Sequence, residues 1–380
     1  MQNNINRFIG LDVHKESATF VILTQDKKIM EQGRIEMKEL GGWAKAKLNQ
    51  QDRIVLEATG NCFMVRDVLK PYAGEITVAN ALAMHDRTRA RKKTDKNDAY
   101  YLAEALACDY VAEVWIPPME VREKRSLATH RRSISKQLVG LQNQMRAILY
   151  QHGIKYGRSI LSDDAVKFVK EQTKLSENAK GMFLSKWRIG KTLVEEAKEL
   201  DRILAEEALK DEDSRILMSM PGVRAQAANI ILSAIGDIGR FESDRKLASY
   251  SGLVPSVCIS GDSGGCRNIT KQGRSLLRWI MTEAAQAAVK ARGPLQEFYK
   301  HLLGKGKKPQ VAIVALARKM LMIIWHMLRE RKPFNAVSRE ALAFKLRTVY
   351  NRAFGPCPNR AATTLADEIL GLVKSDIVEA

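Results

Sequence analysis

Residues 8–15 read Phe-Ile-Gly-Leu-Asp-Val-His-Lys, a short apolar run that carries one acidic residue, Asp12, near its end. A second apolar and β-branched run, 17–23, follows a polar turn, and a third run, 29–35, follows the polar residues 25–28. Apolar runs of this length between polar turns predict three antiparallel strands. Asp12 is therefore expected at the end of the first strand.

Helices and strands alternate in the next part of the chain. The pattern predicts two helices and two strands, in the order 37–49, 54–56, 61–72 and 76–79. This alternation favours an α/β sheet whose later strands are parallel. The strand over 54–56 ends in Glu57. Because such sheets bind ligands outside the carboxyl ends of their strands, Asp12 and Glu57 occupy the positions of ligand-binding residues.

Two further carboxylates, Asp95 and Asp98, lie at the start of the helix predicted over 99–106 and share one of its faces. Clustered carboxylates repel one another unless a cation neutralises them, and their hard oxygen ligands suit Mg²⁺ or Mn²⁺. With Asp12 and Glu57 they form a candidate metal set. Each acid taken singly is more often a turn or cap residue, and only the four together, in this order, favour a metal site. His14 is left outside the set, because a single histidine beside a strand end is more often structural.

The composition indicates a polyanionic partner. Lys and Arg number 62 against 43 Asp and Glu, which gives a net charge of +19 and a pI near 9.7. Such a balance predicts binding to nucleic acid or an anionic surface. Without an apolar run of about eighteen residues or a signal-peptide pattern, no membrane span is expected and a cytoplasmic location is predicted. Five cysteines without a CxxC pair indicate neither a zinc module nor a disulfide framework.

We predict four regions: an α/β domain over 1–116, a helical coiled-coil region over 117–212, a mostly helical domain over 213–332 and a tail over 333–380. Apolar residues recur every seven positions in the second region, at Leu127, Ile134, Leu141 and Ile148. This seam predicts a long helix onto which a second helical region, about 163–212, folds back. The pattern fits a solvated helical hairpin, a nucleic-acid arm or a dimer contact.

The third region carries two compact signals. Residues 220–223, Met-Pro-Gly-Val, resemble a helix-hairpin-helix turn whose glycine lets backbone amides approach a phosphate. Downstream, a Ser- and Gly-rich loop over 258–267 can present a hydroxyl group to a substrate. It is followed by basic residues, of which at least the last three are expected along one helix edge against a phosphate backbone: Arg267, Lys271, Arg274 and Arg278.

Taken together, these motifs resemble the IS110 family of transposases, which includes the IS1111 group. The resemblance runs from about residue 5 to 330 and rests on Gly-Leu-Asp-Val-His-Lys, Leu-Glu-Ala-Thr-Gly, Lys-Thr-Asp-Lys-Asn-Asp-Ala, Pro-Gly-Val, Tyr-Ser-Gly-Leu-Val-Pro and Ile-Thr-Lys-Gln-Gly. It implies an RNase H-like (RuvC-like) first domain with a metal site of the DEDD type. Four residues match that site: Asp12, Glu57, Asp95 and Asp98.

The resemblance also implies a catalytic serine in the C-terminal transposase domain. In the family this serine follows the Gly-Leu-Val-Pro segment in a Ser-Gly context, which Ser260 matches. Ser263 is also followed by glycine, and Ser256 lies nearer the proline without one. We therefore assign the nucleophile to Ser260 and keep Ser263 as the alternative.

The family resemblance further implies a covalent phosphoserine-DNA intermediate, donor and target DNA as substrates, and a bridge RNA that selects them by base pairing. It implies a tetramer built as a dimer of dimers, in which one protomer's acidic domain completes a site with another's serine domain. Three other classes remain open: a metal-dependent junction endonuclease that activates water, a non-catalytic nucleic-acid-binding protein and a structural coiled-coil protein. Only the first of these uses the carboxylates, and none of them needs Ser260.

Overall fold

The computed structural model describes residues 7–81, 84, 94–260 and 263–371, with backbone but not side chains at 257–260 and 263–267. The chain divides into two compact units, Met1–Pro117 and Pro118–Ala380. The first is an α/β unit and the second is mostly helical, as predicted. The further division of the second unit at residues 212 and 332 stays a prediction.

The first unit is built on a mixed sheet with the strand order β3-β2-β1-β4-β5. Strands β1 to β3 are antiparallel, whereas β4 and β5 run parallel to β1, which confirms the predicted hairpins and the parallel later strands. The strands are β1 (Phe8–Val13), β2 (Ser17–Leu23), β3 (Ile29–Glu36), β4 (Arg53–Glu57) and β5 (Glu75–Ala79). The helices are α1 (Leu40–Lys47), α2 (Cys62–Leu69) and α3 (Asp95–Ala107).

Strands β1, β2 and β4 are buried on both faces, whereas the edge strand β3 is largely exposed. Residues Ile9, Leu11 and Leu56 belong to one apolar cluster with the inner faces of α1 and α2. On the other face, α3 lies directly over β1 and β2. Its approach depends on Gly10, because a Cβ there would stand 1.9 Å from the carbonyl oxygen of Ala99. The glycine of the opening motif thus lets α3 sit on the strand that carries Asp12.

The second unit is a helical body with one small hairpin. Its apolar core is formed largely by α8, α10 and α12, with Ile230, Met281 and Leu321 fully buried. The hairpin strands are β6 (Pro255–Ser260) and β7 (Ser263–Ile269). The helices are α4 (Met119–Gln151), α5 (Asp163–Glu171), α6 (Glu177–Lys210), α7 (Glu212–Met218), α8 (Ala225–Ile235), α9 (Asp244–Ser251), α10 (Ser275–Ala288), α11 (Pro294–Gly304), α12 (Pro309–Glu330), α13 (Arg339–Phe354) and α14 (Asn359–Ile369).

The heptad seam lies on α4, and its partner belongs to the same chain. Helix α6 packs along α4, as the fold-back prediction requires. Ile134 and Ile148 of the seam are buried, and Leu141 is partly buried beside Gly190 of α6. The polar seam position, Arg131, is explained by a bidentate pair with Asp201 of α6, at 2.8 and 3.0 Å. The buried part of the seam is therefore covered inside the protomer and is no surface for dimer formation.

Helix α12 is the one helix in the described part of the chain long and apolar enough to cross a membrane. Its apolar residues Leu316, Met320 and Leu321 are fully buried in the core of the second unit. The length and composition of α12 are thus explained by its place at the centre of a helical body.

The predicted tail forms a pair of helices that pack on the rest of the unit. Helix α13 contacts α6 and α7, and α14 contacts α13. Arg339 and Asp367 join the two helices through paired hydrogen bonds of 2.5 and 2.7 Å. The residues of the tail after 371 lie outside the described part. The segment from residue 339 is therefore an integral layer of the second unit.

Candidate metal centre and serine hairpin

Asp12 and Glu57 lie side by side at the ends of neighbouring parallel strands. Leu11 of β1 pairs with Leu56 of β4, so the next residues along the two strands are Asp12 and Glu57. Paired positions in adjacent strands point to the same face and lie about 5 Å apart. Asp12 is buried and Glu57 half-buried. Both carboxylates therefore stand at the carboxyl edge of the sheet, where the sequence placed them.

The other two acids open helix α3 on the same side of the sheet. Thr94 caps the helix, because its hydroxyl oxygen accepts a hydrogen bond from the backbone amide of Asn97. Asp95 and Asp98 occupy the first turn, where negative charge is favoured by the helix dipole. The close contact of Ala99 with Gly10 brings this turn to the end of β1. The helix start thus delivers both carboxylates to the edge that holds Asp12.

His14 joins the acids, which the sequence did not predict. Its Nε2 atom lies 3.3 Å from Oδ2 of Asp12 and 3.3 Å from Oδ2 of Asp95. The side chain of Asn61, which follows the Ala-Thr-Gly motif after β4, donates a hydrogen bond of 2.9 Å to the His14 carbonyl oxygen. Asp12, His14 and Asp95 form a group that could hold a metal ion. A lone histidine after a strand carries no periodic signal, so only the fold reveals this contact.

The electrostatics of Asp12 show that the acids act on one another. Burial is the main cause that raises the pKa of Asp12 above its usual range. The neighbouring His14 opposes this shift, while Asp95, Asp98 and Glu57 each raise the pKa further. A carboxyl group that feels three nearby negative charges is costly to ionise. Asp12 is therefore the acid on which the charges of the other three act.

This site fits a divalent cation. Asp12, His14 and Asp95 offer ligand atoms close enough to share one ion, and carboxylate oxygens are the donors that Mg²⁺ and Mn²⁺ prefer. Among the described residues, Glu57 and Asp98 lie outside this group and act on Asp12 through their charge. A cation would remove the repulsion that raises the pKa of Asp12. The donor set and its charge thus support binding of a divalent metal, whose identity they leave open.

The predicted nucleophile lies on the β6–β7 hairpin of the second unit. Ser260 is the last residue of β6 and is paired in register with Ser263, the first residue of β7. Both serines therefore flank the tip of the hairpin, while Ser256 lies near its base. The side chains of Ser260, Ser263 and Arg267 are outside the described part of the chain. Their backbone positions place both candidate serines at the ends of the two strands, away from the base of the hairpin.

The base of this hairpin is clamped by the segment that precedes it. The amide of Thr270 donates to the Val254 carbonyl, and that of Lys271 to the Gly252 carbonyl. Gly273, at φ +103°, is packed so closely that a Cβ would stand 2.0 Å from the carbonyl oxygen of Tyr250. The Tyr-Ser-Gly-Leu-Val-Pro and Lys-Gln-Gly motifs therefore contact each other at the base of the hairpin. We call this contact the hairpin joint.

The prediction that the last three basic residues line one helix edge is wrong. Lys271 adopts a positive φ of 55° in a turn, and only Arg278 lies within α10, with Arg274 at its cap. Gly273 and Lys271 interrupt the helix because their left-handed backbone cannot continue it. Both arginines make hydrogen bonds at the hairpin joint. Arg274 Nε donates to the Tyr250 hydroxyl at 3.1 Å, and Arg278 Nη1 donates to the Ser251 carbonyl at 3.0 Å.

Tyr250 stands among three arginines. Burial alone would raise the pKa of its hydroxyl, but the charges of Arg274, Arg240 and Arg125 outweigh burial and lower that pKa. Arg125 donates to the Ser233 and Ala234 carbonyls at the end of α8, and its own pKa is lowered to about 10, first by burial and then by the charge of Arg274. Arg240 donates to the Ile235 carbonyl, so the guanidinium groups of Arg125 and Arg240 both lie at the negative end of α8.

Two family profiles match this chain, one in its N-terminal part and one in its C-terminal part. A transposase profile of the DEDD IS110 type matches residues 9–154. A second profile, described as the transposase IS116/IS110/IS902 family, matches residues 214–300. The first match contains the four acids, and the second contains the clamped hairpin. Both are transposase profiles, and they occur in the order that the sequence motifs predict.

Individual relatives agree with these matches. The chain is 28% identical to a transposase for insertion sequence element IS1111A of Coxiella burnetii, over 64% of this chain and 68% of that protein. It is 27% identical to a pilin gene-inverting protein of Moraxella bovis, over 74% of this chain and 81% of the relative. A pilin gene-inverting protein of Moraxella lacunata is 25% identical over 86% of this chain and 97% of the relative.

These matches define the class of the protein as a DNA-cleaving and DNA-rejoining transposase. The α/β unit with its acidic edge and the helical unit with its serine hairpin agree with this class. The chain belongs to the IS110 family of transposases.

Proposed function

We propose that this protein cleaves and rejoins DNA through a covalent bond between Ser260 and a DNA phosphate, aided by divalent cations held by Asp12, Glu57, Asp95 and Asp98. The observation that carries the metal half is the grouping of Asp12, His14 and Asp95, whose possible ligand atoms all lie within 4.8 Å of one another. The order of strands and the helix across β1 are compatible with an RNase H-like domain. The serine half rests on the match of residues 214–300.

Mg²⁺ or Mn²⁺ bound at this centre would supply positive charge that stabilises the transferring phosphate. The protein's own contribution is positioning. The buried Asp12 and its strand neighbour Glu57 are fixed by the sheet, and Asp95 and Asp98 are fixed by the cap at Thr94. Such a rigid ligand set is what a site needs to hold a reacting phosphate in a defined geometry.

The proposed reaction conserves bond energy. The Ser260 hydroxyl loses its proton to a base, its oxygen bonds to the scissile phosphorus, and the P–O3′ bond breaks to leave a protonated 3′ oxygen. A 3′-hydroxyl of another strand then attacks the phosphoserine, loses its proton and releases the serine oxygen, which is protonated again. One phosphodiester bond is broken and one is formed, so no nucleoside triphosphate is consumed.

The RNA partner, the oligomeric state and the cellular location are part of the same proposal. A bridge RNA that pairs with donor and target DNA would supply sequence specificity, and the net charge of +19 suits binding to both nucleic acids. We propose a homotetramer, a dimer of dimers, whose contacts lie outside the buried heptad seam. We also propose a cytoplasmic, nucleoid-associated location in a bacterium or archaeon.

A second candidate is a metal-dependent junction endonuclease that uses water as its nucleophile. It is favoured by one observation: all four acids and His14 belong to the first unit, so the metal centre needs no residue of the second. This candidate predicts DNA cleavage with free ends and no dependence on Ser260.

One experiment separates the two candidates. Purified protein, RNA transcribed from the sequence flanking its gene, Mg²⁺ and labelled junction DNA are incubated and run on a denaturing gel. The proposal predicts an RNA-dependent, protease-sensitive shifted band that is lost in Ser260→Ala and in Asp98→Asn, with Ser256→Ala as the matched serine control. Cleaved DNA with free ends and no shifted band would favour the endonuclease.

A further inference from the structure

A groove in the second unit is formed by the start of α8, by α10 and by α13. Its cavity of about 630 Å³ lies within the range of about 300–1,000 Å³ that small-molecule sites occupy. Two of its walls lie within residues 214–300, the part matched by the second transposase profile. The third wall, α13, belongs to the segment predicted from the sequence as a tail. We call this cavity the α8–α13 groove.

The groove is rigid where it meets the Met-Pro-Gly-Val turn. Gly222 has a φ of +85°, and a Cβ there would stand 2.1 Å from the Ala284 carbonyl oxygen, so the turn sits directly on α10. From the other side, Lys345 of α13 donates to the carbonyl oxygens of Met218 and Met220 at 2.5 and 2.7 Å. The three walls are thus joined by a close backbone contact at Gly222 and by the side chain of Lys345.

The charge of the groove is positive. Among the described residues that line it, Arg224 and Lys290 are exposed cations and Glu283 is the one acid, while burial lowers the pKa of Lys345 to about 7. Glu283 also accepts a hydrogen bond of 3.1 Å from Trp279 Nε1. Cationic side chains spaced around a cavity complement a phosphate backbone.

An aromatic ring stands at the same groove. Phe344 lines the cavity from α13, yet 72% of its surface is exposed. A phenyl ring beside cationic groups is the arrangement on which unpaired bases stack in single-strand binding sites. A base inside a duplex is already stacked, so this ring favours a single strand.

We propose that the α8–α13 groove binds a single strand of DNA, with a base stacked on Phe344 and the adjoining phosphates at Arg224 and Lys290. The inference rests on the proposed function, because strand cleavage and exchange create unpaired DNA. It adds a binding site for that strand, built partly from the C-terminal helix α13.

The test is equilibrium binding by the full-length protein in EDTA, so that no cleavage or adduct formation contributes. The probe is a fluorescein-labelled twelve-nucleotide thymidine strand, with 2-aminopurine at its centre for a second readout. Phe344→Ala should weaken binding about tenfold or more, the range for loss of one stacked base, and should reduce the quenching of 2-aminopurine. Phe344→Trp should retain both.

Charge variants test the phosphate contacts. Arg224→Gln and Lys290→Gln should each reduce the slope of log affinity against log salt by about 0.7, the value for one phosphate contact on a single strand. Matched controls lie outside the groove: Phe354→Ala on the same helix, 52% exposed, and Lys305→Gln in the α11–α12 connection. Both controls should bind like the wild type.

Several outcomes would overturn the proposal. Unchanged single-strand binding in Phe344→Ala, or an equal loss of blunt duplex binding, would remove the stacking site. A tighter and equally Phe344-dependent complex with an RNA strand of uridines would reassign the groove to RNA. If the groove does not bind single-stranded DNA, the wild-type protein should still form the serine-DNA adduct. If the groove binds as expected but no adduct forms, the proposed reaction is contradicted and the groove is not.

Discussion

Gly10 and Ala99 are in backbone contact: a Cβ added to Gly10 would lie 1.9 Å from the carbonyl oxygen of Ala99. No side-chain rotation can relieve such an overlap, because both partners are main chain. This contact sets α3 against β1, and the first turn of α3 carries Asp95 and Asp98. The position of half the acidic set therefore depends on one glycine.

Gly10→Ala should destabilise the protein by about 3 kcal/mol or more, because the strand and helix must separate to admit the methyl group. It should also weaken metal binding by moving two carboxylates. Gly42→Ala is the matched control, since a Cβ at this position within α1 meets nothing within 4 Å. Urea unfolding measures the change, and a Gly10→Ala variant as stable as Gly42→Ala would contradict the packing argument.

Asp12→Asn should stabilise the metal-free protein and abolish its stabilisation by Mg²⁺. The pKa of Asp12 is raised in the folded state, so the folded protein binds more protons than the unfolded chain above pH 3.8. Metal-free stability therefore falls as the pH rises through this window, and the neutral amide avoids the loss.

Thermal unfolding with and without Mg²⁺ checks this prediction. Mg²⁺ at ten times its dissociation constant should stabilise the wild type by about 1.4 kcal/mol. Asp26→Asn, an exposed acid of the β2–β3 turn, should keep that gain. An undiminished Mg²⁺ shift in Asp12→Asn would show that the cation binds elsewhere.

Lys345 should make stability rise with pH above neutrality. Burial, followed by the charge of Arg224, lowers its pKa to about 7, from 10.5 in the unfolded chain. Between these values the unfolded chain holds the proton and the folded protein does not, so folding is favoured as the pH rises; below pH 7 both states are protonated and the slope vanishes.

The free energy of unfolding of the wild type, relative to Lys345→Met, should grow by about 2 kcal/mol between pH 7 and pH 9. Urea titrations of both proteins across this range give the difference. A constant difference would mean that the ammonium group stays charged in its contacts with the Met218 and Met220 carbonyls.

Tyr250→Phe should loosen the base of the serine hairpin. The change removes the hydroxyl that accepts from Arg274 and lies 3.4 Å from the Ala234 carbonyl oxygen. We expect a loss of about 1–2 kcal/mol in stability and a lower yield of DNA adduct, with Mg²⁺ binding unchanged. Tyr150→Phe is the control, since this side chain is 77% exposed. Equal adduct yields in the two variants would remove Tyr250 from the positioning of the hairpin.

Sequence reasoning predicted the elements that depend on local pattern. Apolar runs predicted the strands of the first sheet, and these place Asp12 and Glu57 at one edge. It missed His14, because its contact with Asp95 joins residues 81 positions apart and depends on how α3 crosses β1.

Long-range contacts also explain why the heptad pattern left its partner open and why the prediction of a basic helix edge is wrong. The heptads on α4 correctly indicate an apolar stripe, but a stripe does not specify which chain covers it, and here α6 does. The spacing of Lys271 and Arg274 is compatible with a helix, yet Gly273 adopts a left-handed conformation that serves the contact with Tyr250. No pattern in the sequence singles out Phe344 and Lys345, because their place in the groove depends on the packing of α13 beside α8.

The central claim is a covalent bond from Ser260 to DNA. The most direct test is mass spectrometry of the protease-treated adduct formed with Mg²⁺ and junction DNA, which locates the modified residue. The account predicts a nucleotide on the peptide at Ser260, and no nucleotide-bearing peptide from Ser260→Ala or Asp98→Asn. A nucleotide on Ser263 would reassign the nucleophile, and cleaved DNA without any modified peptide would contradict the serine mechanism.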